Sequence, residues 1–365
     1  MRQGRVTNTT QFKETEGFKT LPSFIRSYYD RSDFDNLLSN RYLKNKVKIE
    51  NLLDKHKTST HSFQAVVGDY HFYGATSKVQ INNKQYFVKY KTAKNNKIFK
   101  EIISYLNSEF SVSIKLPLNL DVDSFVLQQA INEKRLARDY SKEIGILLAF
   151  CLWFGIKDLH WENIIVSDND IYLIDLDCFF LHEKDEYLFN GLNNSGIWYY
   201  SDLQFHKSFV KQKFIEYRIK SIIAYFLKTI ETLKTQKHFY ISFDKSVERR
   251  ILFMDTSIYS KTLKRRYAFG WDDKKLENEW LSIRTHRPSL KKVVESEISQ
   301  LKDWNIPFFT TLNDSVFSDT FICDLKSQIS LIEHFERLDE ISMDEYQRII
   351  TKYLNKTLLN NVYKK

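Results

Sequence analysis

Asp158-Leu-His-Trp-Glu-Asn163, followed closely by Ile171-Tyr-Leu-Ile-Asp175-Leu-Asp177, is the stretch whose reading decides the fold. Asn163 to Val166 and Ile171 to Leu176 are two short β-prone runs, and Ser167-Asp-Asn-Asp170 between them has the composition of a hairpin turn. Asp175 and Asp177 stand among Ile174, Leu176, Phe179 and Phe180. Carboxylates set into an apolar strand are costly unless they meet a cation. Loops on adjacent short strands can bring Asp158, Asn163 and Asp175 to one place.

That set matches what phosphoryl transfer requires. Polyphosphate charge is neutralised by hard cations, which prefer oxygen ligands, and the attacking hydroxyl needs a carboxylate beside it. An aspartate serves the hydroxyl, an asparagine five positions later holds a metal ion, and an aspartate at the end of the next hairpin holds the metals. Asp158, Asn163 and Asp175 fill those positions.

Upstream, the pattern between residues 62 and 91 is β. Ser62 to Gly68, Thr76 to Ile81 and Gln85 to Lys91 read as strands, the last two joined by a polar turn at Asn82-Asn83-Lys84, and together they predict an antiparallel sheet. Phe87, Lys89 and Lys91 share one face of the last strand. Either lysine fits a phosphate-binding role, and the spacing does not separate them. Asn96 to Asn107 is helical in rhythm and carries Glu101, which suits either a partner for that lysine or an exposed helix carboxylate. Gly68-Asp-Tyr-His-Phe-Tyr-Gly74 precedes the strands; by themselves Asp69 and His71 read as turn residues. Residues 1–60 are polar and basic, with helical spacing in Phe34, Leu37, Leu38, Tyr42 and Leu43.

Downstream, Ser141 to Phe154 is apolar on all sides, which predicts a helix buried inside a larger lobe. Beyond Phe180 helices dominate the reading, through Lys211 to Leu233, Leu290 to Leu301 and Leu331 to Leu354. Hydrophobic residues make up 42% of the 365 and aromatic residues 15%, enough for a continuous core. The net charge of +9 is spread along the chain and marks no nucleic-acid patch. Cys151, Cys178 and Cys323 have no paired spacing, so neither a disulfide framework nor a zinc cluster is expected. The longest apolar run, Ile144 to Ile156, is too short to cross a bilayer, and the first residues do not resemble a signal peptide. A cytoplasmic protein without a membrane span is the expectation.

Several ordered blocks resemble the dehydratase domain of the class II lanthipeptide synthetases, the LanM enzymes, whose core is similar to a lipid or protein kinase. Gly68 to Gly74 matches the family's Gly-Asp-x-His-x-x-Gly, and Tyr90-Lys91-Thr92-Ala93 echoes its Tyr-Lys-Pro-Arg, which selects Lys91. Asp158, His160 and Asn163 match Asp-x-His-x-x-Asn, and Ile174-Asp175-Leu176-Asp177 matches Ile-Asp-x-Glu with aspartate in the last position. Arg287-Pro288-Ser289 resembles Arg-Pro-Thr, and Glu297 followed by Asn305-Ile-Pro-Phe308 resembles a Glu followed by Asp-Ile-Pro-Tyr.

The resemblance implies an α+β, kinase-like bilobal fold: a helical extension at 1–60, a small antiparallel-sheet lobe at 61–135 and a larger, mainly helical lobe at 136–365. It implies ATP held by Lys91, with Gly68 and Gly74 over the phosphates and Glu101 beside the lysine. It implies Mg2+ held by Asn163, Asp175 and Asp177. Asp158 then serves the acceptor hydroxyl with His160 nearby, and the acceptor is a Ser or Thr of a precursor peptide. Phosphate elimination in the family uses groups matching Asp69, His71, an arginine and the Arg-Pro-Thr threonine, for which Arg284, Arg287 and Ser289 are the candidates here. Serine replaces that threonine, and the arginine is displaced by one residue. Alternatives are a small-molecule kinase of the aminoglycoside or choline phosphotransferase type and a catalytically idle peptide-binding module.

Overall fold

The computed structural model describes residues 32–55, 60–71, 74–90, 94–122, 125–134, 136–156, 159, 163–178, 217–236, 249–251, 253–254, 256–284, 291–312, 315–318, 321–324 and 331–354. Helix α1 (Ser32–Lys55) comes first. Its buried stripe is Tyr42, Asn45, Ile49 and Leu53, the period of one helical face, whereas Leu43 is 41% exposed. The predicted α-helix is present; of the expected face Tyr42 is buried and Leu43 is not. Ile49 and Leu53 pack on Val79, Ile81, Val88, Phe125 and Leu127 of the sheet that follows.

That sheet is antiparallel and five-stranded, in the order β1-β2-β3-β6-β5, from β1 (His61–His71), β2 (Gly74–Ile81), β3 (Lys84–Lys89), β5 (Asn119–Val122) and β6 (Phe125–Gln129). The β2–β3 turn closes through Asn82 and Asn83, both at positive φ, which asparagine tolerates better than most residues. Along β2 buried and half-buried residues alternate, so one face rests on the core. Pairing of β1 with β2 slips between Val66 and Tyr70, leaving Gly68 and Asp69 in a bulged stretch.

Helix α2 (Lys94–Phe110) follows β3, and β4 (Ile114–Lys115) pairs in parallel with β8 (Asp170–Leu173) of the decisive hairpin. β7 (Ile164–Ser167) pairs with β8 antiparallel, Ile164 opposite Leu173, around a turn at Asp168 and Asn169. Helix α3 (Ser141–Trp153) is buried at every position but Lys142, as its all-round apolar sequence requires. It crosses α4 (Ile219–Thr235) at Gly145, where a Cβ would meet the Ile222 carbonyl at 2.6 Å. Phe99, Ile102, Ile103 and Leu106 of α2 join α3, α4, β7 and β8 in the largest core.

The carboxy-terminal half departs most from expectation. β9 (Arg249–Ile251), β10 (Phe309–Leu312), β11 (Ser315–Ser318) and β12 (Phe321–Asp324) form a second antiparallel sheet in a region read as helical. Between β9 and β10 lie α5 (Thr256–Phe269), α6 (Asp273–Ile283) and α7 (Lys291–Lys302). Strands of three or four residues are too short to show a period. The run from Leu331 to Leu354 is two helices, α8 (Leu331–Glu340) and α9 (Met343–Leu354). Ser342 starts the second, its hydroxyl accepting from the Glu345 amide at 3.2 Å in a Ser-x-x-Glu sequence. The described residues are thus α+β, an antiparallel sheet followed by a mainly helical remainder. None of their helices is long and apolar enough to cross a membrane.

Gly145→Ala is expected to destabilise the protein by about 1–3 kcal/mol, because the carbonyl it would strike belongs to a packed helix. A lowered urea midpoint at unchanged slope checks this.

Candidate active site

β3 ends at Lys89, whose backbone pairs with Val126 of β6 and whose side chain is turned inward at 9% residue exposure. On the other side of the cleft, the β7–β8 ladder delivers Ile174 to Asn163, the Ile174 amide donating to the Asn163 carbonyl at 2.9 Å. The next residue is Asp175. Lys89 Nζ donates to Asp175 Oδ1 at 3.2 Å, joining the five-stranded sheet to the hairpin. Asp175 holds φ at 69°, a left-handed conformation that costs about 1–3 kcal/mol at a non-glycine residue and that concentrates at functional sites.

Two residues on, the Asp177 carbonyl accepts from the Arg250 amide of β9 at 2.9 Å. The Arg250 guanidinium lies over the Phe308 ring at 5.1 Å, a cation against an aromatic face. The Phe308 ring in turn stands 5.1 Å from that of His71, and His71 Nδ1 donates to the Ile306 carbonyl at 2.9 Å. This bond puts the ring proton on Nδ1 and the lone pair on Nε2 when the ring is neutral. Gly68 to Gly74, Asp175 to Asp177 and Asn305 to Phe308, three blocks far apart in the chain, are therefore linked in space.

Other expected residues fall elsewhere. Lys91, Asp158, His160, Arg287 and Ser289 lie outside the described residues, as does the Asp69 side chain. Lys89, the other lysine on that strand face, is the one seen on Asp175. Glu101 is exposed on α2, while its neighbours Ile102 and Ile103 face the core. Gly74 is needed for close approach: at φ 135°, an added Cβ would strike the Tyr90 ring. Arg250 was not foreseen; its only sequence signal is a cation flush against the apolar run Ile251-Leu-Phe253.

Arg284, expected among the catalytic candidates, is buried with its guanidinium on a carboxylate. Its Nε and Nη2 donate to Glu297 Oε2 and Oε1, each at 2.9 Å, and Nη1 donates to the Phe253 carbonyl at 3.2 Å. Glu297 is fully buried and also accepts from Tyr259 Oη at 2.6 Å and Trp280 Nε1 at 3.0 Å. Burial pushes the Glu297 carboxyl upward and the Arg284 guanidinium opposes that. Burial likewise drives the Tyr259 phenol well above its ordinary range, so it remains a donor. The quartet joins α5, α6 and α7 to the end of β9, beside the Asp177 contact.

For a metal ion, the donor set at the hairpin is an amide and two carboxylates, Asn163, Asp175 and Asp177. Oxygen-only donors suit a hard cation such as Mg2+. Among the described residues no three His, Cys, Asp or Glu side chains cluster in a way that could hold a metal by themselves. The residues present fit a site completed by a nucleotide's phosphate oxygens.

Residues 27–196 match the family model described as "Domain of unknown function (DUF4135)". The chain is 24% identical over 345 residues to the Lacticin 481/lactococcin biosynthesis protein LcnDR2 of Lactococcus lactis subsp. lactis. The chain is similar to a lanthipeptide biosynthesis protein. The likeness read from the motifs is thereby borne out. The match to LcnDR2 takes in 72% of this chain and 37% of that relative. Among solved structures, the streptomycin-ATP-APH(2")-IIa ternary complex overlaps 53% of this chain and 93% of that one, with a TM-score of 0.23 and 12% identity. The gentamicin-APH(2")-IIa complex overlaps 66% and 96%, with a TM-score of 0.28 and 11% identity. Both likenesses are too slight to assign a role.

Arg284→Ala would leave the Glu297 charge buried without its cation, and breaking such a pair costs about 3–5 kcal/mol. Equilibrium denaturation of this variant should show that loss; a change below about 1 kcal/mol would mean the carboxyl is held neutral.

Proposed function

We propose that this LanM-like chain is a phosphotransferase that uses ATP and Mg2+ to phosphorylate Ser or Thr hydroxyls of a precursor peptide. The observation that carries the reading is the Lys89–Asp175 pair at the mouth of the β7–β8 hairpin. It sets a cation for phosphate oxygens beside the carboxylate that the motif spacing assigns to metal. The similarity to a lanthipeptide biosynthesis protein supports a peptide as acceptor.

In this reading Lys89 takes the role that the motif resemblance had assigned to Lys91. Asn163, Asp175 and Asp177 would hold Mg2+, which when bound supplies positive charge against the polyphosphate. Asp158 accepts the proton of the acceptor hydroxyl as its oxygen bonds to the γ-phosphorus. The bond from that phosphorus to the bridging oxygen breaks, and ADP leaves with the electron pair. Lys89, on a rigid strand, orients the phosphates without rearranging during the step.

Elimination of phosphate to a dehydroamino acid would be a second, separable reaction. His71, whose neutral ring carries its lone pair on Nε2, supports such proton abstraction. Arg284 does not, since its guanidinium is committed to Glu297 and Phe253.

Incubation with ATP, Mg2+ and a Ser/Thr-rich precursor peptide encoded nearby tests the reading by mass spectrometry. A gain of phosphate supports phosphorylation, and a loss of water supports both steps; neither change overturns the assignment. Asp158→Asn is expected to lower phosphorylation by roughly 10²–10⁴ while sparing the fold. Lys89→Ala should reduce the thermal stabilisation given by ATP and Mg2+ more than Lys91→Ala does; the reverse order returns the role to Lys91.

A further inference from the structure

Asn45 is a polar residue on an otherwise apolar helix face. It sits between Tyr42 and Ile49 on α1 at 6% exposure, where an aliphatic side chain would pack without any demand for hydrogen bonds. Both ends of its amide are used. Nδ2 donates to Ser77 Oγ at 2.6 Å, and Oδ1 accepts from Tyr90 Oη at 2.9 Å. Ser77 passes its own proton to the Ala75 carbonyl at 3.0 Å, so the chain of donors is complete.

The two residues that Asn45 joins flank the lysine of the site. In the β2–β3 ladder Ser77 stands opposite Val88, the last pair before Lys89, and Tyr90 follows Lys89 directly. Among the described residues the ladder beyond Val88 runs on β6, Lys89 opposite Val126. A strand held from one side swings more easily than one held from both. Asn45 adds a hold on the β2 side by tying Tyr90 back to Ser77. The Tyr90 ring is fixed as well, against the Gly74 backbone and beneath the Lys48 ammonium, 4.4 Å from its centroid. Helix α1 is anchored independently of the sheet, Arg41 donating to the Trp304 carbonyl at 3.2 Å and to the Asp303 carbonyl.

We propose that Asn45 is a positioning residue for Lys89: through Ser77 and Tyr90 it clamps the end of β3 so that the ammonium stays on Asp175. Its meaning for catalysis rests on the reading of Lys89 as the phosphate-binding cation, whereas the clamp itself is a property of the nucleotide-free protein.

The test uses the full chain without nucleotide, pulse-labelled with an amine-acetylating reagent, and mass spectrometry compares Lys89 with Lys115 as an internal reference. Tyr90→Phe removes only the hydroxyl. Asn45→Leu keeps the volume and improves apolar packing while removing both hydrogen bonds. Each is expected to raise Lys89 labelling about fivefold, the effect of losing one net hydrogen bond, with Lys115 unchanged. A purely structural Asn45 predicts otherwise for Asn45→Leu: an altered thermal stability with wild-type labelling of Lys89. Equal labelling of Lys89 in wild type and in Tyr90→Phe overturns the clamp, as does a rise shared by Lys115, which means general loosening. Thermal shift of the wild type with ATP and Mg2+ is read separately. Absence of a shift overturns the nucleotide reading, while the clamp still stands or falls on the labelling of Lys89.

Discussion

Lys89 leaves the five-stranded sheet and Asp175 leaves the β7–β8 hairpin, and their side chains meet at 3.2 Å with exposures of 10% and 26%. In a half-buried setting of this kind the attraction roughly offsets the hydration given up, so the pair adds little net stability. What it fixes is distance. The hairpin's own ladder holds Asn163 beside Ile174, and the ion pair then ties that unit to the sheet. Left-handed backbone at Asp175 is tolerable only where the surroundings over-determine it, and the ladder before it, with the Arg250 amide on the Asp177 carbonyl beyond it, does so.

Buried polar groups serve this region in two ways. The Glu297 quartet places one full charge where no water reaches and satisfies it with four donors from three side chains, joining α5, α6 and α7 to β9. Such a set specifies one arrangement of its helices, because any other leaves a charge unpaired. Asn45 does the same in miniature on the opposite side of the site, with neutral groups and hence at a smaller energetic stake. Between these two supports lie Lys89, Asp175, Asp177 and the ring pair His71–Phe308.

Much of this is legible without coordinates. Alternation along residues 61–89 marks the sheet, the turn residues Asp168 and Asn169 mark the hairpin, and the all-round apolar run at 141–153 marks the central helix. Each is long or well punctuated enough for local sequence to decide. The second sheet is not legible, because β9 and β10 owe their existence to the pairing of Ile251 with Phe309, far apart in the chain, and neither carries a period of its own. Alternation reads Lys89 and Lys91 onto one strand face and so leaves the lysine unassigned; the contact with Asp175 is made by Lys89. Arg284 misleads for a related reason: an arginine in a loop beside a motif says nothing about whether a carboxylate waits for it in the core. The Ser-x-x-Glu at Ser342 is a readable helix start, hidden within a longer apolar rhythm.

The contact between His71 and Ile306 spans 235 positions, and it bears on how the molecule comes into being. During ribosomal synthesis His71 leaves the ribosome long before Ile306, and until then the imidazole lacks the carbonyl that orients it. Only when the chain has emerged past Phe308 does that ring acquire a defined tautomer. A product terminated before Ile306 would therefore lack the bond that sets this tautomer.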